Sequence, residues 1–192
     1  NHPYRPPGRV LARVETLPLL VMLHGCVQTV RDFAASTRMD RLAASGRFLV
    51  LYPEQDRIAN LQGCWNWFAR RNGKAEAEAA TLVAMVDQVL QLYPADHTRV
   101  ALAGLSAGAG MAALLATEYP ARWSAVAMHS GVAPGAARST ATALAAIVGK
   151  RHADLGAPGP QGLPPLLGLQ GKADRGVATG DGAAAAPAWA QA

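Results

Sequence analysis

The 192 residues are 51% apolar and 16% charged, a balance that excludes an intrinsically disordered chain and gives a single domain enough apolar mass for its own core. No apolar stretch approaches the roughly 18 residues of a membrane span, so a soluble protein with no membrane partner is expected. The net charge of +5 comes mainly from arginines scattered along the chain, which argues against a nucleic-acid partner.

Residues 1–16 hold three prolines and little periodicity and read as a lead-in, with 9–14 as a candidate edge strand. No signal peptide stands there, but the first residue is Asn1 and not Met, as expected where a leader has been removed or trimmed away. Leu17–Leu23 is a continuous apolar run suited to a strand buried on both faces, and it leads into His24, Gly25 and Cys26. Across 33–45 the apolar residues Phe33, Met39, Leu42 and Ala43 recur at helical spacing until Gly46, with Arg31, Arg38, Arg41 and Arg47 as a solvated face. Residues 48–52 form the next apolar run, stopped by Pro53, and strand, helix, strand in succession is the alternation of a parallel sheet.

Residues 54–74 break into a polar loop that carries Cys64, Trp65, Asn66, Trp67 and Phe68, and a loop of this length in a compact domain points to function. A helix follows over 75–92, with Leu82, Val83, Val86, Val89, Leu90 and Tyr93 on one face and Pro94 closing it. Residues 99–103 read as a strand, 111–119 as a helix closed by Pro120, Ala125–His129 as a strand, and 140–148 as a helix. After a loop over 158–165 comes the short strand Leu166–Leu169, then Gln170, Gly171 and Asp174. The Ala- and Gly-rich tail, 178–192, is expected to lack regular structure, which leaves 1–177 as one α/β domain with a doubly wound, mostly parallel sheet. In such sheets ligands sit at the carboxyl ends of strands, and Gly25, Cys26, Ser106 and Asp174 each fall just after one.

Between the strand at 99–103 and the helix at 111–119 lies Gly104, Leu105, Ser106, Ala107, Gly108, a GxSxG segment in the context of a nucleophile elbow. A serine hydroxyl needs a base to take its proton, and the tetrahedral intermediate it forms needs donors for the oxyanion. Ser106 fits the nucleophile, the amide of Ala107 fits one donor, and the amide of Cys26 fits the second. Asp174 suits the acid that orients a histidine better than Asp154 or Asp181, which lack a preceding strand. Cys26 and Cys64 form no CxxC pair, so no metal site is expected, and a disulfide between them is preferred to two buried thiols. Trp65, Trp67 and Phe68 read either as packing beneath the rim or as a platform beside the serine for an aromatic acyl group or a sugar.

Residues 19–28 (LLVMLHGCVQ), Tyr52 to Gln55, Cys64 to Phe68, 99–108 (RVALAGLSAG) and His129, Ser130, Gly131 together resemble the polyhydroxybutyrate depolymerase type esterases. These are α/β hydrolases related to feruloyl and acetyl xylan esterases, and the resemblance runs from about 17 to 177. It implies a secreted or periplasmic serine carboxylic ester hydrolase without metal or organic cofactor, acting through an acyl enzyme on a polyester or on acylated polysaccharide. It supports Ser106 as nucleophile and Asp174 as acid, the latter in a pattern close to HGxxDxxV with Gln170 in place of the first histidine. That exchange lies outside the proton path, so a small effect is expected.

In this fold the triad runs Ser, Asp, His along the chain, yet no histidine follows Asp174. His24 and His129 match positions that are not the base, His2 and His97 lie far from the rim, and His152 is the remaining candidate. The expectation is therefore an α/β hydrolase without the C-terminal strand and helix of the complete fold. The alternative function is a catalytically impaired or truncated member of the same fold.

Overall fold

Apolar runs that end at Gly, Pro or polar turns alternate with helices along the chain, and the computed structural model joins them into one sheet. It describes residues 15–132, 162–174, 177, 186–187 and 189–190. The elements are β1 (Leu17–Leu23), α1 (Val30–Thr37), α2 (Met39–Gly46), β2 (Leu49–Leu51), α3 (Lys74–Leu92), β3 (Ala95–Leu105), α4 (Ala107–Glu118), β4 (Ala125–His129) and β5 (Leu166–Leu169). A short 3-10 turn, Pro120–Arg122, links α4 to β4. The expected edge strand at 9–14 and helix at 140–148 lie outside the described residues.

The five strands lie in the order β2-β1-β3-β4-β5 and every pair is parallel. From β1 the chain winds outward to β2, then returns across β1 to continue through β3 in the other direction. The switch point between β1 and β3 is where a doubly wound sheet opens its ligand crevice. Leu23 pairs with Gly104, so the turns that leave β1 and β3 emerge side by side.

The core follows from which faces the helices bury. α3 buries Ala75, Ala79, Leu82, Val86 and Leu90, a stripe at three- and four-residue spacing. Tyr93 departs from the expected apolar face: it caps the helix and is 57% exposed. α4 is apolar all round and buries nearly every residue, because small side chains let it lie close against β3 and β4.

Two boundaries differ from the sequence reading for local reasons. The helix expected over 33–45 is two, broken at Arg38 in the left-handed region with φ 53°. Ser36 and Thr37 donate their hydroxyls back to the carbonyls of Phe33 and Ala34, competing for the acceptors a continuing helix needs. β3 begins earlier than expected, because Ala95 already pairs with Leu17. The register then jumps to Leu19 and Val100, leaving the polar residues 96–99 to loop out of the ladder.

The tail also departs from expectation where it is described. Ala186, Pro187, Trp189 and Ala190 are helical, and Trp189 is buried in the core with its indole N–H donating to the carbonyl of Pro164 at 2.7 Å.

Candidate active site

The local chemistry of the elbow is set by its glycines. A Cβ on Gly104 would stand 2.2 Å from the carbonyl oxygen of Gly108, and one on Gly108 would stand 2.1 Å from that of Leu23. Both contacts are with backbone that cannot swing away, so only glycine allows β3, α4 and the end of β1 to approach so closely. Between them Ser106 sits at φ 55°, ψ −117°, a strained conformation for a residue with a side chain. Its N–H donates to the carbonyl of His129 at 2.9 Å, and its carbonyl accepts from Ala109 and Gly110. These bonds pin the strain in place.

The turn after β1 faces it. Gly25 N–H donates to Oε1 of Gln28 at 2.7 Å, Val27 N–H donates to the carbonyl of Gln62 at 2.8 Å, and Cys26 is joined to Cys64 by a disulfide. Val27 is β-branched yet held at φ 57°, a second strained position. The Ala107 amide is the first of α4 and has no acceptor within the helix. The Cys26 amide has no acceptor among the described residues. Cys26, Ser106 and Ala107 all line one cleft of about 470 Å³.

The loop over 54–73 forms the opposite wall, held by Glu78 of α3. Glu78 accepts from Asn66 N–H at 2.8 Å through Oε2, and from the amides of Gln55 and Asn66 through Oε1. Gln55 also donates to the carbonyl of Cys64. Trp65 and Trp67 both line the cleft and are both buried, so packing and cleft wall are one role. The Trp65 indole donates to the carbonyl of His24 at 3.0 Å, while Trp67 lies flush against Gly110, where a Cβ would meet its ring at 2.7 Å.

Asp174 stands in the turn after β5. It accepts from Val177 N–H at 3.0 Å through Oδ1 and from the amide of Gln170 at 3.1 Å through Oδ2. Gln170 is thus in direct contact with the carboxylate, nearer the proposed chemistry than the sequence reading expects. Ser106, Gly25, Gln28, Ser130 and Asp174 line a second depression of about 410 Å³, so the residues expected on one rim are brought together.

The histidines are placed otherwise. His24 is buried, and its ring is used on both sides: Nε2 accepts from Gln55 N–H at 3.1 Å, which leaves Nδ1 to donate to the carbonyl of Gly25 at 2.8 Å. His97 precedes Val100, which lies six residues and roughly 20 Å along β3 from Ser106 at the rise of an extended strand, and it lines a pocket at the other end of the sheet. His129 gives its carbonyl to Ser106 but lines neither cleft. His2 and His152 lie outside the described residues. Among the described residues no group of three His, Cys, Asp or Glu is placed to hold a metal, and no helix is long and apolar enough to cross a membrane.

Sequence reasoning missed Ser130, Lys74 and Glu78 as parts of the site. Ser130 is buried, takes φ 48° and lines both depressions, but nothing in its local sequence marks it beyond the family motif it belongs to. Lys74 falls at the end of the expected polar loop and Glu78 on the helix after it, and only the packing of that loop on the helix gives them a role.

Residues 2–157 match the family described as Esterase PHB depolymerase. The chain belongs to this family. Membership classes it with the serine carboxylic ester hydrolases of the α/β-hydrolase superfamily. Similar members include poly(3-hydroxyalkanoate) depolymerase C of Paucimonas lemoignei, 38% identical over 104 residues that cover 54% of this chain and 25% of the relative. Feruloyl esterase B of Neurospora crassa is 34% identical over 128 residues, covering 64% of this chain and 43% of the relative. The chain thus spans less than half the length of these curated relatives. Among solved structures, the acetyl xylan esterase from Aspergillus awamori aligns with a TM-score of 0.55 at 25% identity, over 66% of this chain and 46% of that one. Esterase PE8 aligns with a TM-score of 0.64 at 19% identity, over 92% of this chain and 78% of that one, a likeness of fold.

Proposed function

We propose that the chain carries the nucleophile half of a serine esterase. In this reading Ser106 attacks an ester carbonyl, the amides of Cys26 and Ala107 take the oxyanion, and Asp174 is the acid that orients a base. The observation that carries it is the strained Ser106 beside two amides that have no acceptor among the described residues, at the switch point of the sheet. Attack forms the Oγ–acyl bond, collapse of the intermediate breaks the bond to the alcohol, and the serine proton ends on the departing alkoxide. Water then releases the acid and restores the hydroxyl. The named activities of the relatives support two substrate classes, polyhydroxyalkanoates and feruloyl or acetyl esters of polysaccharide. The disulfide favours a secreted or periplasmic site of action.

The placement of the described histidines favours a second reading, a member impaired in catalysis. His24 has both ring nitrogens engaged, His97 lines a pocket at the other end of the sheet, and His129 lines neither cleft. Without its base a triad loses several orders of magnitude in turnover and keeps only what the oxyanion hole and binding supply. A fluorophosphonate probe and a nitrophenyl butyrate assay separate the two. Labelling at Ser106 that Ser106→Ala abolishes, together with an initial burst and turnover, is expected of the esterase. Absence of both supports the impaired member.

A further inference from the structure

The two depressions meet at Ser106, and their linings differ in chemistry. In serine ester hydrolysis the base oriented by the acid returns the serine proton to the leaving oxygen. The alcohol half of the ester therefore lies on the Asp174 side, in the 410 Å³ depression, and the acyl half extends into the 470 Å³ cleft.

That cleft is far larger than an acetyl group requires. Trp67 and Phe68 give it an apolar flank, their rings edge to face at 5.6 Å. Asn72 and Lys74 also line it. Lys74 is half-buried, and its ammonium donates to the carbonyl of Ala59 at 2.5 Å, which leaves two N–H groups. Among the described residues every ion pair is made by an arginine, and none includes Lys74. Glu78, one turn along α3, is the carboxylate nearest to it in sequence on the same face, and its oxygens are taken up by Asn66 and Gln55. Asn72 accepts from Lys74 N–H through Oδ1, so its amide N–H groups remain as donors. Two donor side chains, one of them charged, thus share a cleft with the nucleophile.

We propose, building on Ser106 as the esterase nucleophile, that this cleft is an acyl subsite for chains that end in a carboxylate, so that half-esters of dicarboxylic acids are preferred over esters of simple fatty acids. The far carboxylate binds Lys74 and Asn72, the methylene or aryl middle lies on Trp67 and Phe68, and the ester carbonyl reaches Ser106.

Binding tests this without any turnover. Levulinate and its longer homologues carry a methyl ketone in place of the ester carbonyl and a carboxylate at the far end. The methyl alkyl ketones of matching length lack only the carboxylate. Titrating both series into the intact protein, read by tryptophan fluorescence, is expected to show the best-fitting keto acid bound about tenfold tighter than its neutral match at low salt, with the preference shrinking as salt rises. Lys74→Met should bring the pair to equality, and Lys74→Arg should keep most of the preference. If Lys74 only holds the Ala59 carbonyl, Lys74→Met weakens both ligands together and leaves their ratio intact, which overturns the proposal. Equal affinity in the unaltered protein overturns it as well. A protein that hydrolyses no ester can still show the preference, and an active one can lack it, so this test and that of the esterase reading fail separately.

Discussion

At Gly104 and Gly108 a single methyl group decides whether the elbow closes. The Cβ of alanine at either position would lie within 2.2 Å of backbone, a contact no side-chain rotation relieves. Gly104→Ala and Gly108→Ala are expected to cost about 3 kcal/mol each, at the upper end of overpacking, and to lower the thermal midpoint by roughly 6–12 °C. Gly110→Ala meets the Trp67 ring instead, a side chain that can tilt, so a smaller loss with a shifted tryptophan emission is expected. The sequence made the first two glycines legible, since the GxSxG spacing implies a close crossing of strand and helix. It could not mark Gly110, whose need for smallness comes from a ring more than forty residues away along the chain. Away from the site, Asp96 is held at about 2 by the hydroxyl and amide of Thr98 and by Arg99. A depressed carboxyl stabilises the fold above its ordinary value and loses that contribution as pH falls toward 2. Thr98→Ala should let it climb back toward 3.8, which a carboxyl NMR titration of Asp96 would read.

Among elements, the loop over 54–73 owes its order to α3. It has no strand or helix of its own, and polar bonds to Glu78 take the place of a ladder. Glu78→Gln keeps the shape but removes the charge and turns one acceptor into a donor facing the Asn66 N–H or amide. A loss of about 1–3 kcal/mol is expected, concentrated in the loop. Limited proteolysis should then cut within 54–73 before the sheet unfolds, and tryptophan emission should shift to the red. Apolar periodicity shows strands and helices because it reports which face is buried. It is blind to a loop held by side-chain bonds to a carboxylate on the next helix and by a disulfide. The same blindness explains Arg38, where hydroxyls returning to the helix carbonyls, not a glycine or proline, end α1.

For the molecule as a whole, strand and helix alternation implies a doubly wound parallel sheet, and the order β2-β1-β3-β4-β5 places the turns after β1 and β3 together. What alternation does not say is how the large loop after β2 is fastened over that junction. The Cys26–Cys64 bridge does this, joining the turn after β1 to the aromatic wall across 38 residues of chain. By loop entropy such a closure stabilises by about 4 kcal/mol, so reduction, or Cys64→Ala with Cys26→Ala, should lower the thermal midpoint by roughly 8–16 °C. A second effect is separable from the first. Val27 is strained at φ 57° directly after Cys26, and among the described residues the bridge shares the fastening of that turn to the loop with the Val27 N–H bond to Gln62 and with the bonds from Trp65 and Gln55 to His24. Without the bridge the turn can relax and carry the Cys26 amide away from the proposed oxyanion position. At a temperature well below either midpoint, where both forms remain folded, the reduced protein should then react with fluorophosphonate at least tenfold more slowly while its circular dichroism is unchanged. Equal rates would make the bridge a staple for stability alone.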